Sequence, residues 1–158
     1  MWSGDFDSVM AVGLTWIGGW IAASILYRRH KGKPILSPTF PRAPFWERWR
    51  SGCSHKNIIT RFGGASNCLW VAITGEALCV GPMFPFNLMF LPEIYCLEYR
   101  IPGSAIVSLE ERSSFLSGNC VKIVYRDGNG EEQGFEITVR DLERFRPVMR
   151  ALTGKTWG

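Results

Sequence analysis

From Ser8 to Tyr27 the chain reads SVMAVGLTWIGGWIAASILY, twenty residues without a charge. An apolar helix of about twenty residues crosses roughly 30 Å of hydrocarbon. Only Asp5 and Asp7 precede the run, whereas Arg28, Arg29, His30, Lys31 and Lys33 follow it at once. An excess of Lys and Arg marks the cytoplasmic flank of a span. The expectation is a retained transmembrane helix over 8–27, with residues 1–7 outside and the rest of the chain in the cytoplasm. A cleaved signal peptide needs positive charge ahead of the apolar run and small residues at a cut site; neither is present in that form. The competing reading is a buried core helix, against which the charge-free length argues.

This segment has two faces. Ala11, Thr15, Gly18 and Ala22 follow 4-3-4 spacing and form a seam of small residues, and Trp16 and Trp20 lie on roughly the opposite side. Small residues let another helix approach closely. The expected partner is a transmembrane helix of an integral membrane protein, although small residues are common in membrane helices of every kind.

Charge is spread unevenly over the rest. Residues 28–66 carry nine Lys or Arg and one acid, Glu47, while residues 67–158 carry nine bases and eleven acids. The basic character therefore belongs to one segment beside the apolar run, which argues against a general nucleic-acid surface. Pro34, Pro38, Pro41 and Pro44 make the start of 28–66 an extended connector. FWERWR (45–50) then sets aromatics beside arginines, a mixture suited to a membrane interface. Arg28, Arg29, Lys31, Lys33, Arg48 and Arg50 are the candidate contacts to anionic lipid headgroups. A short amphipathic turn packed on the following domain is the alternative for 45–50.

From Asn67 onward the apolar period is two. Leu69, Val71 and Ile73 alternate with smaller or polar neighbours; so do Tyr95 to Ile101, Ala105 to Leu109, Val121 to Tyr125 and Phe135 to Val139. Such alternation predicts antiparallel strands with one buried face. Asp127-Gly128-Asn129-Gly130 is a strong hairpin turn. Asp141 then caps a helix in which Leu142, Phe145, Met149 and Leu152 recur at helical spacing, with Gly154 as its stop and Pro147 as a kink. The fold class is mainly β with one C-terminal helix, behind a separate N-terminal transmembrane helix.

LWVAITGEALCVGP (69–82), YRIPGSAIVSLEE (99–111), VKIVYRDGNG (121–130) and FEITVRDLERFRPVMRAL (135–152) together resemble the pleckstrin-homology-like (PH-like) superfamily, in its small bacterial or GRAM-like style. The resemblance covers residues 67–158 and implies an antiparallel barrel or sandwich plugged by its terminal helix, here at a bacterial inner membrane. Phosphoinositide-binding members grip phosphate with a basic loop between the first two strands. Gly75-Glu76, taken as that loop, is short and acidic, so inositol-phosphate binding does not carry over.

No enzyme motif, cofactor fingerprint or metal-ligand spacing stands out. Cys53-Ser54-His55 with Cys68 is too irregular for a metal site. Five cysteines without a CxxC pair read as thiols in a reducing compartment. GPMFPFNLMFLPE (81–93) is loop chemistry with core composition, because its three prolines exclude a regular helix or central strand. Leu88 to Leu91 could be a buried strand; alternatively Phe84, Phe86, Met89 and Phe90 form an exposed patch that contacts a partner. The reading that joins these features is a non-catalytic, membrane-anchored accessory or assembly subunit of a larger membrane complex. The alternative is a peripheral sensor of anionic lipid that uses the basic connector and the 83–91 loop.

Overall fold

Alternating apolar residues need a second layer to cover their inner face, and this chain provides it by curling one sheet. The computed structural model describes residues 3–33, 35–36, 38, 40, 42–54, 65–88, 97–114 and 118–155. Helix α1 (Ser3–His30) is followed by strands β1 (Phe45–Ser54), β2 (Ala65–Ile73), β3 (Ala77–Pro82), β4 (Tyr99–Pro102), β5 (Ile106–Ser114), β6 (Gly118–Arg126) and β7 (Glu132–Thr138). Helix α2 (Leu142–Thr153) closes the described fold. The strands form one antiparallel sheet in the order β4-β3-β2-β1-β7-β6-β5. The mainly β class with a terminal helix is as the alternation indicates.

The order places β4 and β7 four strands apart, about 19 Å in a flat sheet at ~4.8 Å per strand. Yet the Tyr99 ring of β4 stacks on Phe135 of β7 at 4.6 Å between centroids. The sheet therefore bends until β4 faces β7 and β6, where Tyr99 also meets Tyr125 at 6.0 Å. Leu69, Val71, Leu78, Val80 and Ile101 from one half meet Val121, Ile123, Phe135 and Ile137 from the other in a single core. Phe145 and Met149 of α2 enter that core fully buried, and Phe145 meets Phe45 edge to face at 5.0 Å. Asp141 Oδ1 accepts the Arg144 N–H at 2.9 Å, and Gly154 ends α2 in the left-handed region. The helix runs unbroken through Pro147. Its position six residues into α2 removes one backbone bond without dividing the element.

Strand β1 corrects the connector assigned to 28–66. It lies inside the sheet, pairing with β2 on one edge and β7 on the other. Two register shifts, between Glu47 and Arg50 and between Arg50 and Gly52, accompany Trp49 at φ 58°. Such bulges break the period of two, which is why FWERWRSGCS does not read as a strand. The first connection between strands thus covers residues 55–64, outside the described residues, and Gly75-Glu76 joins β2 to β3 instead. The apolar segment after Gly81 follows this third strand.

The expectation of one buried face fails at β2 and β3. Every residue of β3 is buried, as are Cys68 to Ile73 of β2. Their outer face carries a second apolar cluster of Trp70, Ala72, Ala77, Cys79 and Met83, covered by Phe40 and Trp46. Phe40 comes from the chain between α1 and β1, and its ring sits 5.1 Å from that of Trp70.

Gly52 is the corner of the sheet, paired with Ala65 and Ile137 at once. A Cβ there would stand 2.7 Å from the Glu136 carbonyl oxygen and 3.0 Å from Leu69 Cδ1. Gly52→Ala is expected to lower stability by about 1–3 kcal/mol, the usual cost of overpacking, read from chemical denaturation. A fragment of residues 67–158 lacks β1 and should show no cooperative melting, whereas residues 42–158 should melt cooperatively. Phe145→Ala in that longer fragment should cost about 3–5 kcal/mol; an unchanged melting temperature would place α2 outside the core.

Candidate membrane-proximal site

Helix α1 stops through its own sequence. Gly32 adopts φ 66°, the Gly32 N–H donates to Arg29 O at 3.1 Å, and the Lys33 N–H donates to Arg28 O at 2.8 Å. This is the Schellman arrangement that ends helices at glycine. It turns the chain so that Lys33 and Arg28 reach the same carboxylate. Lys33 Nζ lies 2.7 Å from Glu98 Oε2, and Arg28 donates to Glu98 Oε1 at 2.8 Å. Arg28 also donates to the Asn87 carbonyl at 3.3 Å.

The last turns of α1 rest against the short 3-10 turn Phe86–Leu88. Ser24 and Arg28, one helical turn apart, are 1% and 3% exposed. A buried guanidinium is tolerable only when paired and hydrogen-bonded, and Glu98 supplies that charge. Burial pushes the Glu98 carboxyl up, but the hydrogen bonds and charges of Lys33 and Arg28 outweigh it and hold the group below its ordinary value. Asn87, 2% exposed, donates through Nδ2 to the Ile35 carbonyl at 2.5 Å. Together these contacts form a polar clasp between α1 and the sheet. Beside it lies a cavity of about 440 Å³ bounded by Arg28, Asn87, Glu98 and Arg100, with Phe40 and Trp70 in its wall.

The structure separates the six proposed headgroup residues. Arg29 and Lys31 are exposed. Arg28 is turned into the clasp and Lys33 onto Glu98, so these two are engaged by the protein. Arg48 is exposed with its guanidinium 4.3 Å from the Trp46 ring centroid. Arg50 folds back, donating to Arg48 O at 2.8 Å and lying 3.5 Å from Glu47. Residues 45–50 are not the short amphipathic turn of the alternative reading but part of strand β1, inside the sheet.

The apolar loop is likewise divided. Met83 and Leu88 are buried, Phe86 packs on the core, and Phe84 is 48% exposed. Met89 and Phe90 lie outside the described residues. Of the patch read from the sequence, Phe84 alone among the described members is a surface residue. Trp49 is a further exposed aromatic near it, since the Trp49 N–H points at Met83 Sδ at 3.4 Å.

Along α1 runs a concave notch of about 670 Å³, bounded by Ala11, Thr15 and Gly19 on one side and Trp16 and Trp20 on the other. Ala11 and Thr15 of the predicted seam border it; Gly18 and Ala22 do not. The tryptophans form its wall, their rings packed edge to face at 5.7 Å. Thr15 Oγ1 donates to Ala11 O at 2.8 Å, which leaves no hydroxyl hydrogen bare on this surface.

Elsewhere the chemistry is quiet. Among the described residues no three His, Cys, Asp or Glu side chains gather as metal ligands. Cys53, Cys68, Cys79 and Cys120 are thiols outside any disulfide. Burial raises all four, and with the Glu136 charge it carries Cys120 to about 11. Such thiols are poor nucleophiles. Sequence reasoning missed Glu98, Asn87 and Arg100. Asn87 is the one polar side chain between Met83 and Leu91, and that oddity is the signal that could have found it.

A carboxyl held below its ordinary value stabilises the fold at higher pH and stops doing so as pH falls through the folded value. Glu98→Gln should cost the full chain in detergent about 1.5–3 kcal/mol at neutral pH, the range for a hydrogen bond to a charged group. The difference in thermal stability from wild type should shrink in acid well below 4.5. A difference that stays constant with pH would exclude the clasp as its source.

No protein-family model matches this sequence, and no curated protein matches it significantly.

Proposed function

We propose that the chain is a non-catalytic, single-pass membrane protein that serves as an accessory or assembly subunit. In this reading α1 packs through its notch against a transmembrane helix of a larger complex, and a PH-like domain is held at the cytoplasmic face. The observation that carries it is the state of α1. Residues 7–30 are long and apolar enough to cross a membrane, and only 6% of the apolar window is buried by the rest of the chain. At about 1.5 Å per residue, the 28 residues of α1 span about 42 Å, enough for the hydrocarbon with its basic end beyond it.

Glycine supports the partner. Gly13, Gly18 and Gly19 each cost a helix about 1 kcal/mol relative to alanine. A Cβ at any of the three would meet nothing within 4 Å. No contact among the described residues therefore explains them, whereas close approach of a second helix does. The strand order and terminal helix support the PH-like resemblance, and the flanking charges support the orientation. A second reading, sensing of anionic lipid, is favoured by the cavity beside the clasp.

Gly19→Leu fills the notch and leaves the domain untouched. Recovery of co-purifying membrane proteins from mild detergent should fall about tenfold, the effect of ~1.4 kcal/mol, with an unchanged melting temperature. Undiminished recovery would remove the notch from the contact. In a cysteine-free background, a cysteine at Ser3 should react with an impermeant reagent from outside, and one at Asn129 in the exposed β6–β7 turn should not. The reverse pattern would invert the orientation.

A further inference from the structure

Outside α1, only three large hydrophobic side chains are exposed among the described residues: Leu36 at 68%, Trp49 at 52% and Phe84 at 48%. They come from three separate segments, yet all three converge on one turn. The Asn87 N–H donates to Met83 O at 3.1 Å, which closes residues 83–87 on themselves. Phe84 lies inside that turn. The Trp49 N–H points at Met83 Sδ at 3.4 Å, and Asn87 Nδ2 donates to the carbonyl of Ile35, the neighbour of Leu36. Arg28 of α1 donates to the Asn87 carbonyl at 3.3 Å. The exposed apolar residues of the domain are therefore gathered at the foot of α1. Trp49 also holds φ 58°, an outlier for a bulky residue. Such outliers persist where the surrounding structure enforces them, and they cluster at ligand clamps and switch regions. Here the outcome is an indole displayed at the surface.

Depth identifies the partner. Ser24 belongs to the uncharged run and is 1% exposed, so other parts of the chain cover α1 to about 6 Å below Arg28, at ~1.5 Å per residue. The turn Phe86–Leu88 packs on these last turns of the helix. Where α1 spans a membrane, the layer from Ser24 to Arg28 is the membrane–water interface, and the turn sits in it. Aromatic side chains are favoured at that level. Exposed Arg29, Lys31 and Arg48 accompany the patch, as cations do beside headgroup phosphates. A protein would have to be brought to this layer, whereas lipid already fills it.

We propose that Leu36, Trp49 and Phe84 insert into the membrane interface as a second attachment beside α1, with the lipid bilayer as their partner. The proposal rests on reading α1 as a span. A lone span leaves a protein free to tilt; an apolar patch to one side of it holds one orientation.

In the test, photoreactive benzoylphenylalanine replaces Leu36, Trp49, Phe84, Val12 or Asn129, one at a time, in the full chain in nanodiscs of phosphatidylcholine. That lipid carries no net charge, so general attraction of the bases plays no part. After illumination the mass of the intact chain is read. The variants at Leu36, Trp49 and Phe84 should gain the mass of one lipid, as should the variant at Val12, 70% exposed on α1. Asn129, in the exposed β6–β7 turn, should show no gain. A gain at Val12 without one at any of the three overturns the proposal and leaves the span standing. A gain at the three without one at Val12 defeats the span reading and supports the contact; no gain at any of the four defeats both. An equal gain at Asn129 overturns the proposal as unspecific capture. Should the Trp49 variant fail to fold, Phe84 decides, because its replacement keeps an aromatic ring at an exposed position. Capture of a protein from Phe84 in native membranes, with no lipid gain in nanodiscs, assigns the patch to a protein contact and also overturns the proposal.

Discussion

Strand β1 holds the sheet together, because it is hydrogen-bonded on both edges. Its first residues, Phe45 to Glu47, pair with β2; its last, Cys53 and Ser54, pair with β7; Gly52 pairs with both. Without it β2-β3-β4 and β5-β6-β7 are separate three-stranded pieces, neither able to cover its own apolar face. The bulges at Glu47–Gly52 are the means by which one strand serves two half-sheets, since they bend it and increase its twist. Glu47, inside the bulged region, accepts the N–H groups of Arg140 and Asp141 at 3.0 and 2.9 Å. The chain leading into α2 is thereby tied to β1. One strand thus sets the curl of the sheet and the placement of the helix that fills it.

A second dependence runs from α1 into the sheet. Burying Arg28 at 3% exposure is favourable only because Glu98 and the Asn87 carbonyl receive its donors. Those groups come from β4's approach and from the turn after β3, elements whose positions follow from the curl that β1 imposes. Cooperation is therefore expected between the clasp and the core. A loosened β3–β4 edge would leave a buried cation short of acceptors, which costs far more than a lost surface contact.

Much of the domain was legible because the strands after Ala65 keep an alternating or continuous apolar pattern with turn residues between them. The C-terminal helix was legible from Asp141, Gly154 and the spacing of Phe145 and Met149, and all four do what their chemistry suggests. What escaped was β1, whose alternation is broken by two register shifts, and the two-sided burial of β2 and β3. Trp70 and Cys79 look like outward positions because the residues covering the cluster they belong to, Phe40 and Trp46, lie more than twenty residues earlier, in and just after a proline-punctuated stretch. The clasp was illegible for a related reason: Arg28 and Glu98 are seventy residues apart. A basic residue just past an apolar helix reads as a headgroup contact by default. Nothing local shows that Arg28, one of four neighbouring bases and a histidine, is turned inward.

These contacts also decide what kind of tether joins α1 to the sheet. Residues 31–44, if extended, would reach about 46–50 Å at ~3.3–3.6 Å per residue. They are not used that way. Lys33 is held by Glu98, the Ile35 carbonyl by Asn87, and Phe40 by Trp70. Three attachments, at residues 33, 35 and 40, hold this part of the chain against the approach to β4, the turn after β3 and the outer face of β2. A domain strapped in this way does not search a wide area of membrane for ligands or partners. Under the proposed reading, whatever binds its foot or flanks α1 meets a surface already in place, with little ordering entropy left to lose on binding. Under that reading the attachments favour a fixed structural subunit.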